Sequence, residues 1–532
     1  MTKFDVFIAA LIALVAGLIF YPFAAIGVDS HHDGIMLKPA MDVLSGQVLF
    51  RDTFSQYGPL TTYFQALALA VSPTLHSLRI LTVLAYAGSL GFLYLAWRAL
   101  LPRSLSLIAS LVFVGYAPFF HPNWPMHPWS SVMALGFQSI AILALVRIVA
   151  GDRPAVWAWV LGLACASTLW CRQPVGIILT ASVGVIAVAL HLTGWRLAPG
   201  EVSRVWVRAA VGFVCVTILV LGYLMMNGAV APWWEQTVLW PWKWAKSGTI
   251  VSFCFYLTPN NTLIFPSILL VAFSPALLRL VFTRLPLFVD LSWWMFLVVL
   301  YCTVAGPTVR PYLLIYTGGW GVLVLALTGL QVLLVIICAF IKKWGESHGN
   351  EFYRVSVLSG LAIGSAAQIY PVACVDHVYW ALAPGFGVFV YFVYRCLRLP
   401  SLYCCLGLLL LLAPAIYDKF RWGLYNFTRP TVALSSPSVL VGMRVDSDFA
   451  GAIMRTDTVV RGLLARHQNR PVVLYGNSPL CLEWFDNRFN PSPYFVTWDR
   501  LVPEAEQHKR TAYLMGTRPV LLLAESASEA LS

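Results

Sequence analysis

The chain has 532 residues, 59% of them apolar and only 11% charged, with a mean hydropathy of +0.76. A soluble globular chain carries about 25% charged residues, so these values exclude a water-soluble enzyme and call for a polytopic membrane protein. The formal charge of +12 does not mark a nucleic-acid binder either. Its Lys and Arg sit in short loops between apolar runs, as the positive-inside rule places them.

Residues 5–27 are almost uninterruptedly apolar, far longer than the roughly 7–15 residues of a signal-peptide core. They read as an uncleaved first span with a cytoplasmic N-terminus. Where this span should emerge, the chain reads Asp29-Ser30-His31-His32-Asp33-Gly34. Two carboxylates and two imidazoles at a bilayer surface are expensive to keep there, which points to chemistry. In 35–46, Met36, Ala40, Val43 and Leu44 form one apolar stripe, with Lys38, Asp42 and Ser45 opposite and Gly46 as a stop. That pattern predicts an amphipathic helix lying in the interface plane, either filling the mouth of the bundle or walling a cleft open to lipid. Arg51-Asp52 and Gln56-Tyr57-Gly58-Pro59 follow. The apolar stretch 59–72 is too short to span, since a span needs roughly 20 residues, and reads as a second interfacial or re-entrant segment.

Further spans are predicted at 76–97, 104–120, 130–146, 155–170, 174–193, 209–228, 262–278, 287–305, 313–341, 355–372, 379–394 and 401–417. With Lys and Arg setting orientation, about thirteen helices alternate and leave the C-terminal tail outside. The tail, residues 421–532, holds 22 charged residues against 36 in the first 420. It reads as a separate soluble domain of small α/β type behind a membrane domain over 1–420. Strands are expected at 436–442, 471–475 and 519–524, alternating with helices at 446–467, 478–487 and 503–515.

The other outer loops supply matching groups: His121, His127 and Trp129 in one, Glu235, Lys243 and Lys246 among tryptophans in another. Arg172-Gln173, Arg310 and Asp376-His377 occupy further outer positions. Tryptophans there serve mainly as interfacial anchors, with sugar stacking as the functional alternative. Arg172 and Arg310 either snorkel, form a buried pair or bind phosphate. An isoprenoid-linked sugar phosphate fits such a surface: tail in lipid, phosphate on Arg or Lys, sugar on aromatic rings. A carboxylate can then deprotonate the acceptor hydroxyl that attacks the anomeric carbon. No cofactor is required for this chemistry, although Asp29, His31, His32 and Asp33 could hold a divalent metal.

The pieces His32-Asp33-Gly34, Leu44-Ser45-Gly46, Val48 to Asp52, Gln56 to Leu60, Arg172-Gln173 and Asp376-His377 ahead of Ala383-Pro384 resemble, in order and spacing, the GT-C superfamily of membrane glycosyltransferases. The likeness is to the branch of protein O-mannosyltransferases and lipid A aminoarabinose transferases. It implies polyprenyl-phosphate sugar donors, an envelope glycan, lipid or protein as acceptor, inversion at the anomeric centre, and an active site on the periplasmic face of the inner membrane. Carried over by position, the base is Asp33 or Asp29. Among the residues of the outer segments, Tyr57, His127, Arg172, Lys243, Lys246, Arg310, Asp376 and His377 are the substrate- and phosphate-binding candidates. The family often has Asp-Glu where this chain has His32-Asp33, and an acidic residue in the second outer loop where this chain offers His121 and His127. A lipid-linked polysaccharide polymerase or ligase, or a lipid or ion transporter, are the competing readings. A transporter would place its charges deep inside repeated halves, whereas these cluster at outer helix ends.

Overall fold

The computed structural model describes residues 2–115, 117, 126–192, 199–245, 375–396, 401–467, 472–475 and 520–523, with scattered positions between 353 and 365 and at 516. The spans expected at 262–278, 287–305 and 313–341, and the tail helices at 478–487 and 503–515, lie outside the described residues.

The chain is an integral membrane protein. Five stretches among the described residues are long and apolar enough to cross a bilayer: Lys3–Ala25, Leu75–Trp97, Ser130–Val149, Pro154–Cys171 and Ser203–Met226. The first contains helix α1 (Lys3–Phe20) and a 3-10 turn, Tyr21–Ala25. Helices α4 (Leu75–Trp97), α6 (Ser130–Val149), α7 (Pro154–Cys171) and α9 (Pro199–Met226) supply the others. Helix α4 packs between α1 and α6, α6 on α7, and α7 on α9. Lipid is as apolar as leucine, so close packing and buried hydrogen bonds hold such helices together. Phe113 and Tyr379 accordingly stack 4.4 Å apart, and the Tyr379 hydroxyl donates to the Phe113 carbonyl at 2.6 Å. At the N-terminal end of α1, buried Asp5 accepts from Arg98 and Arg103 at 3.1 and 3.2 Å. These arginines therefore mark the end of the bundle opposite to Asp29.

Two short helices shape that other end. Helix α2 runs from Ser30 to Leu44, so it starts five residues before the expected stripe and carries His31, His32 and Asp33 in its first turn. Its polar face is not solvated as expected. Lys38 and Asp42 are buried against each other, an i,i+4 ion pair that satisfies both charges, while Leu44 is exposed. Met36 and Ala40 of the apolar stripe are buried as well, so α2, which packs on α3 (Pro59–Val71), is enclosed on both sides. With 13 residues, α3 rises about 20 Å, short of a span.

The turn ahead of α3 is docked by Gly58. Its N–H donates to the Cys171 carbonyl at 3.1 Å, and an added Cβ would lie 2.0 Å from the Trp170 carbonyl oxygen. Neither backbone can yield cheaply, so Gly58→Ala is expected to lower the melting temperature and pull the turn off the end of α7. Unchanged thermal unfolding of that variant in detergent would refute the contact.

In the tail, the Ser401–Thr428 helix runs past the expected boundary at 420. The strand expected at 436–442 is instead a loop with a 3-10 turn at Ser438–Leu440, because Pro437 has no N–H to donate and Gly442 turns the chain at φ +84°. Strands form on either side of it: β1 (Thr431–Ala433) pairs antiparallel with β2 (Arg444–Asp446). The Ser447–Arg466 helix follows, and Val472–Tyr475 pairs in parallel with Val520–Leu523.

Candidate active site

Asp33 is fully buried, and so is its partner Arg79 from α4. The guanidinium Nη2 donates to Asp33 Oδ2 at 2.6 Å. Its other terminal nitrogen donates to the carbonyls of Ala24, Ile26 and Gly27 at 3.4, 3.0 and 2.8 Å. One buried cation thus ties the C-terminal end of the first span to the first turn of α2. The second Asp33 oxygen faces His127 Nδ1 at 3.6 Å. Burial by itself would raise the Asp33 carboxyl, but the Arg79 charge, His127 and the Asp29 N–H hold it below the ordinary carboxylate range.

Asp29 sits on the accessible side of that pair, with its side chain 26% exposed. Its N–H donates to Asp33 Oδ2 at 2.8 Å. Its carboxylate accepts the His32 N–H at 2.9 Å and lies 3.0 Å from His32 Nδ1 and 3.9 Å from His127 Nε2. Desolvation pushes this carboxyl up, but the His32 hydrogen bond, the His32 and His127 rings and the His32 N–H outweigh it and keep Asp29 ionised below the usual range. The two imidazoles pack 4.7 Å apart, and Trp129 lies 5.2 Å from His32 and 5.6 Å from His127. Buried Gln65 of α3 fixes this second loop by donating to the Pro128 carbonyl at 2.8 Å.

Asp33 therefore faces one nitrogen of His127 while the other points at Asp29. At 3.6 Å the Asp33 contact is an ion-pair approach rather than a hydrogen bond, and at 3.9 Å Nε2 stands toward the Asp29 carboxylate. Asp29, His32 and His127 each offer one donor atom within 4.8 Å of the others. Two imidazoles and a carboxylate suit a divalent transition metal. Mn²⁺ titration of the purified protein is expected to show one site, weakened about tenfold or more by His32→Ala or His127→Ala, the scale on which metal ligation responds to lost contacts. Equal affinity in all three proteins would remove the metal.

A second group forms where α7 meets α8 (Gln173–Leu192). Arg172 is buried and extended at this break, beside Gln173. The Cys171 carbonyl before it accepts from Gly58 N–H and Thr61 Oγ1. This brings the Tyr57 turn next to Arg172. Tyr57 is half-buried, and its hydroxyl accepts from Gln56 at 3.2 Å. The loop before it is clamped by buried Gln236, which accepts from Ser55 N–H at 3.1 Å and donates to the Phe50 carbonyl at 2.8 Å.

The structure thus gathers Asp29, His32, Asp33 and His127 in one cluster, and Tyr57 with Arg172 in another. Lys243 lies on the helix Trp240–Ala245, and Asp376 and His377 on the helix Val375–Cys396. Their side chains and that of His31 lie outside what the structure describes, as do His121, Lys246 and Arg310 altogether. Arg79 was not singled out by the sequence, although an arginine within the expected span 76–97 is the kind of signal that marks a functional or structural charge.

No family model matches the chain, and no curated protein matches it. Several solved structures are similar to this chain at low identity over most of its length. ArnT from Cupriavidus metallidurans bound to undecaprenyl phosphate is 12% identical with a TM-score of 0.45, over 98% of this chain and 89% of that one. The Archaeoglobus fulgidus oligosaccharyltransferase tethered to an acceptor peptide is 12% identical with a TM-score of 0.48, over 90% of this chain and 63% of that one. The archaeal oligosaccharyltransferase AglB from the same organism, in complex with an inhibitory peptide and a dolichol-phosphate, is 13% identical with a TM-score of 0.44, over 89% of this chain and 63% of that one.

Proposed function

We propose that this protein is a membrane glycosyltransferase of GT-C type that moves a sugar from a polyprenyl-phosphate donor to an envelope glycan, lipid or protein on the periplasmic face of the inner membrane. The observation that carries this reading is Asp29. It is an ionised carboxylate on the accessible side of a buried Asp33–Arg79 pair, held by two imidazoles from separate elements beside Trp129. A charged group mounted this firmly at the end of a membrane span is built to act at the interface.

In the proposed reaction the acceptor hydroxyl oxygen attacks the anomeric carbon, and Asp29 takes its proton. The bond from that carbon to the phosphate oxygen breaks, the phosphate leaves with the electron pair, and the anomeric centre inverts. Arg172, with Lys243, Lys246 and Arg310, would neutralise the leaving phosphate. Tyr57, Asp376 and His377 would contact the sugar phosphate, and Trp129 with His32 would offer rings for the sugar to stack on. A divalent metal on Asp29, His32 and His127, when bound, would add positive charge toward the phosphate. Asp33 keeps Asp29 and His127 in place.

Mass spectrometry of lipids, glycans and envelope proteins from cells with and without this chain tests the proposal. A loss confined to one added sugar, with its polyprenyl-phosphate donor accumulating, is expected. An unchanged glycan profile with an altered distribution of an ion or a lipid would overturn it in favour of a transporter.

A further inference from the structure

The backbone just ahead of Asp29 is held from two sides. On its carbonyl side stands Arg79, bonded to Ile26 and Gly27. On its N–H side stands the C-terminal tail: the Arg444 carbonyl accepts the Gly27 N–H at 2.8 Å, and Ile26 forms a parallel bridge with Arg444. Strand β2 thus lies between β1 and the 26–27 segment. Gly27 itself adopts φ +71°, a left-handed conformation that favours glycine. The turn leading into Asp29 is therefore strained for other residues and held by a strand from some 400 residues away.

The tail is also cemented there by a shared core. Leu440 and Met443, both fully buried, belong to one apolar cluster with Leu37 and Ala40 of α2 and Leu75 and Leu78 of α4. Val28, next to Asp29, packs on the same cluster. The helix that carries His32 and Asp33 therefore has no separate core of its own on this side. Its underside is finished by the tail.

We propose that the C-terminal segment 431–466 is a positioning element of the transfer site, with the Arg444 main chain and the Leu440–Met443 plug holding the 26–29 backbone so that Asp29 meets His127. This rests on the reading of Asp29 as the base. A displacement of about 1 Å in a reacting group can cost on the order of a hundredfold in rate, so loosening this mount should act on turnover rather than on donor binding.

The test uses the full-length protein in membranes, supplied with total polyprenyl-phosphate sugars extracted from the producing cell. Release of free polyprenyl phosphate is followed by mass spectrometry. In Leu440→Ala/Met443→Ala the turnover at saturating extract is expected to fall about ten- to a hundredfold, with half-saturation within about twofold of wild type. Because that variant could simply misfold, Ile26→Cys/Arg444→Cys is added to it. Oxidation, verified by the linked peptide, should restore turnover to within a few-fold of wild type, which a merely misfolded protein would not show. Full turnover in the plug variant, or a formed cross-link that restores nothing, overturns the proposal. Full activity in Asp29→Asn would instead overturn the reading of the base, so the two failures are separable.

Discussion

Asp29→Asn is expected to lower sugar transfer by about 10²- to 10⁴-fold, the range in which a positioned general base contributes, while the protein inserts and unfolds thermally as wild type. The amide keeps the size of the carboxylate and can still accept from the His32 N–H, so the first turn of α2 has no reason to open. What it loses is the capacity to take a proton. Asp29→Glu keeps that capacity but moves the oxygens by one methylene, and it should retain partial turnover. The environment sharpens the pH expectation. Asp29 is held below the ordinary carboxylate value of 3.8 by His32 and His127, so it is ionised throughout the neutral range. Wild-type transfer should therefore show no acid limb from Asp29 near pH 4 to 6. Wild-type transfer by Asp29→Asn in sealed, correctly oriented membranes would eliminate it as the base and return Asp33 to that role.

The largest stability effect is expected at Arg79. Arg79→Met leaves Asp33 charged and fully buried, and loss of one partner from such a pair costs about 3–5 kcal/mol. It also strips the donor from the buried carbonyls of Ala24 and Ile26 and the partly buried one of Gly27, whose desolvation is then uncompensated. Asp33→Asn should be milder, since an amide can still accept from Arg79 and from the Asp29 N–H, but it leaves the arginine without a countercharge. The double variant should be less destabilised than the sum of the two singles by about 0.5–3 kcal/mol, the coupling of residues in direct contact. Strict additivity in melting experiments would show that the pair is not coupled. The pH dependence has a definite sign. Asp33 is lowered from 3.8 in the folded protein, so its stabilisation is fully present above that value and is lost as pH falls through the lower folded value. Wild type should therefore lose stability below pH 4, and Asp33→Asn should show a flatter acid limb.

Several features were legible in the chain. The apolar excess and the long uncharged runs required a bundle of spanning helices, because only such helices satisfy their own backbone in lipid. The cluster Asp29 to Asp33 stood out because ionisable groups at a helix exit are costly, and the shortness of 59–72 placed α3 at the interface rather than across it. These conclusions rest on composition and local period, and a linear sequence carries both.

Which carboxylate is buried and which is accessible was decided only in three dimensions. Asp29 and Asp33 are four residues apart and chemically alike, yet one is fully enclosed by Arg79 and the other opens toward His127 and Trp129. The partners come from α4 and from the loop before α6, separations across which hydrophobic period says nothing. Lys38 and Asp42 make the same point. Periodicity set them opposite the apolar stripe, and the fold buried them as well, which their mutual ion pair made tolerable. The sequence by itself determined which groups the bilayer would push to its edge, because transfer free energy is a property of each residue. The tertiary structure decided which of those groups face one another, because charge pairing and hydrogen bonding depend on distances that only the packed helices set.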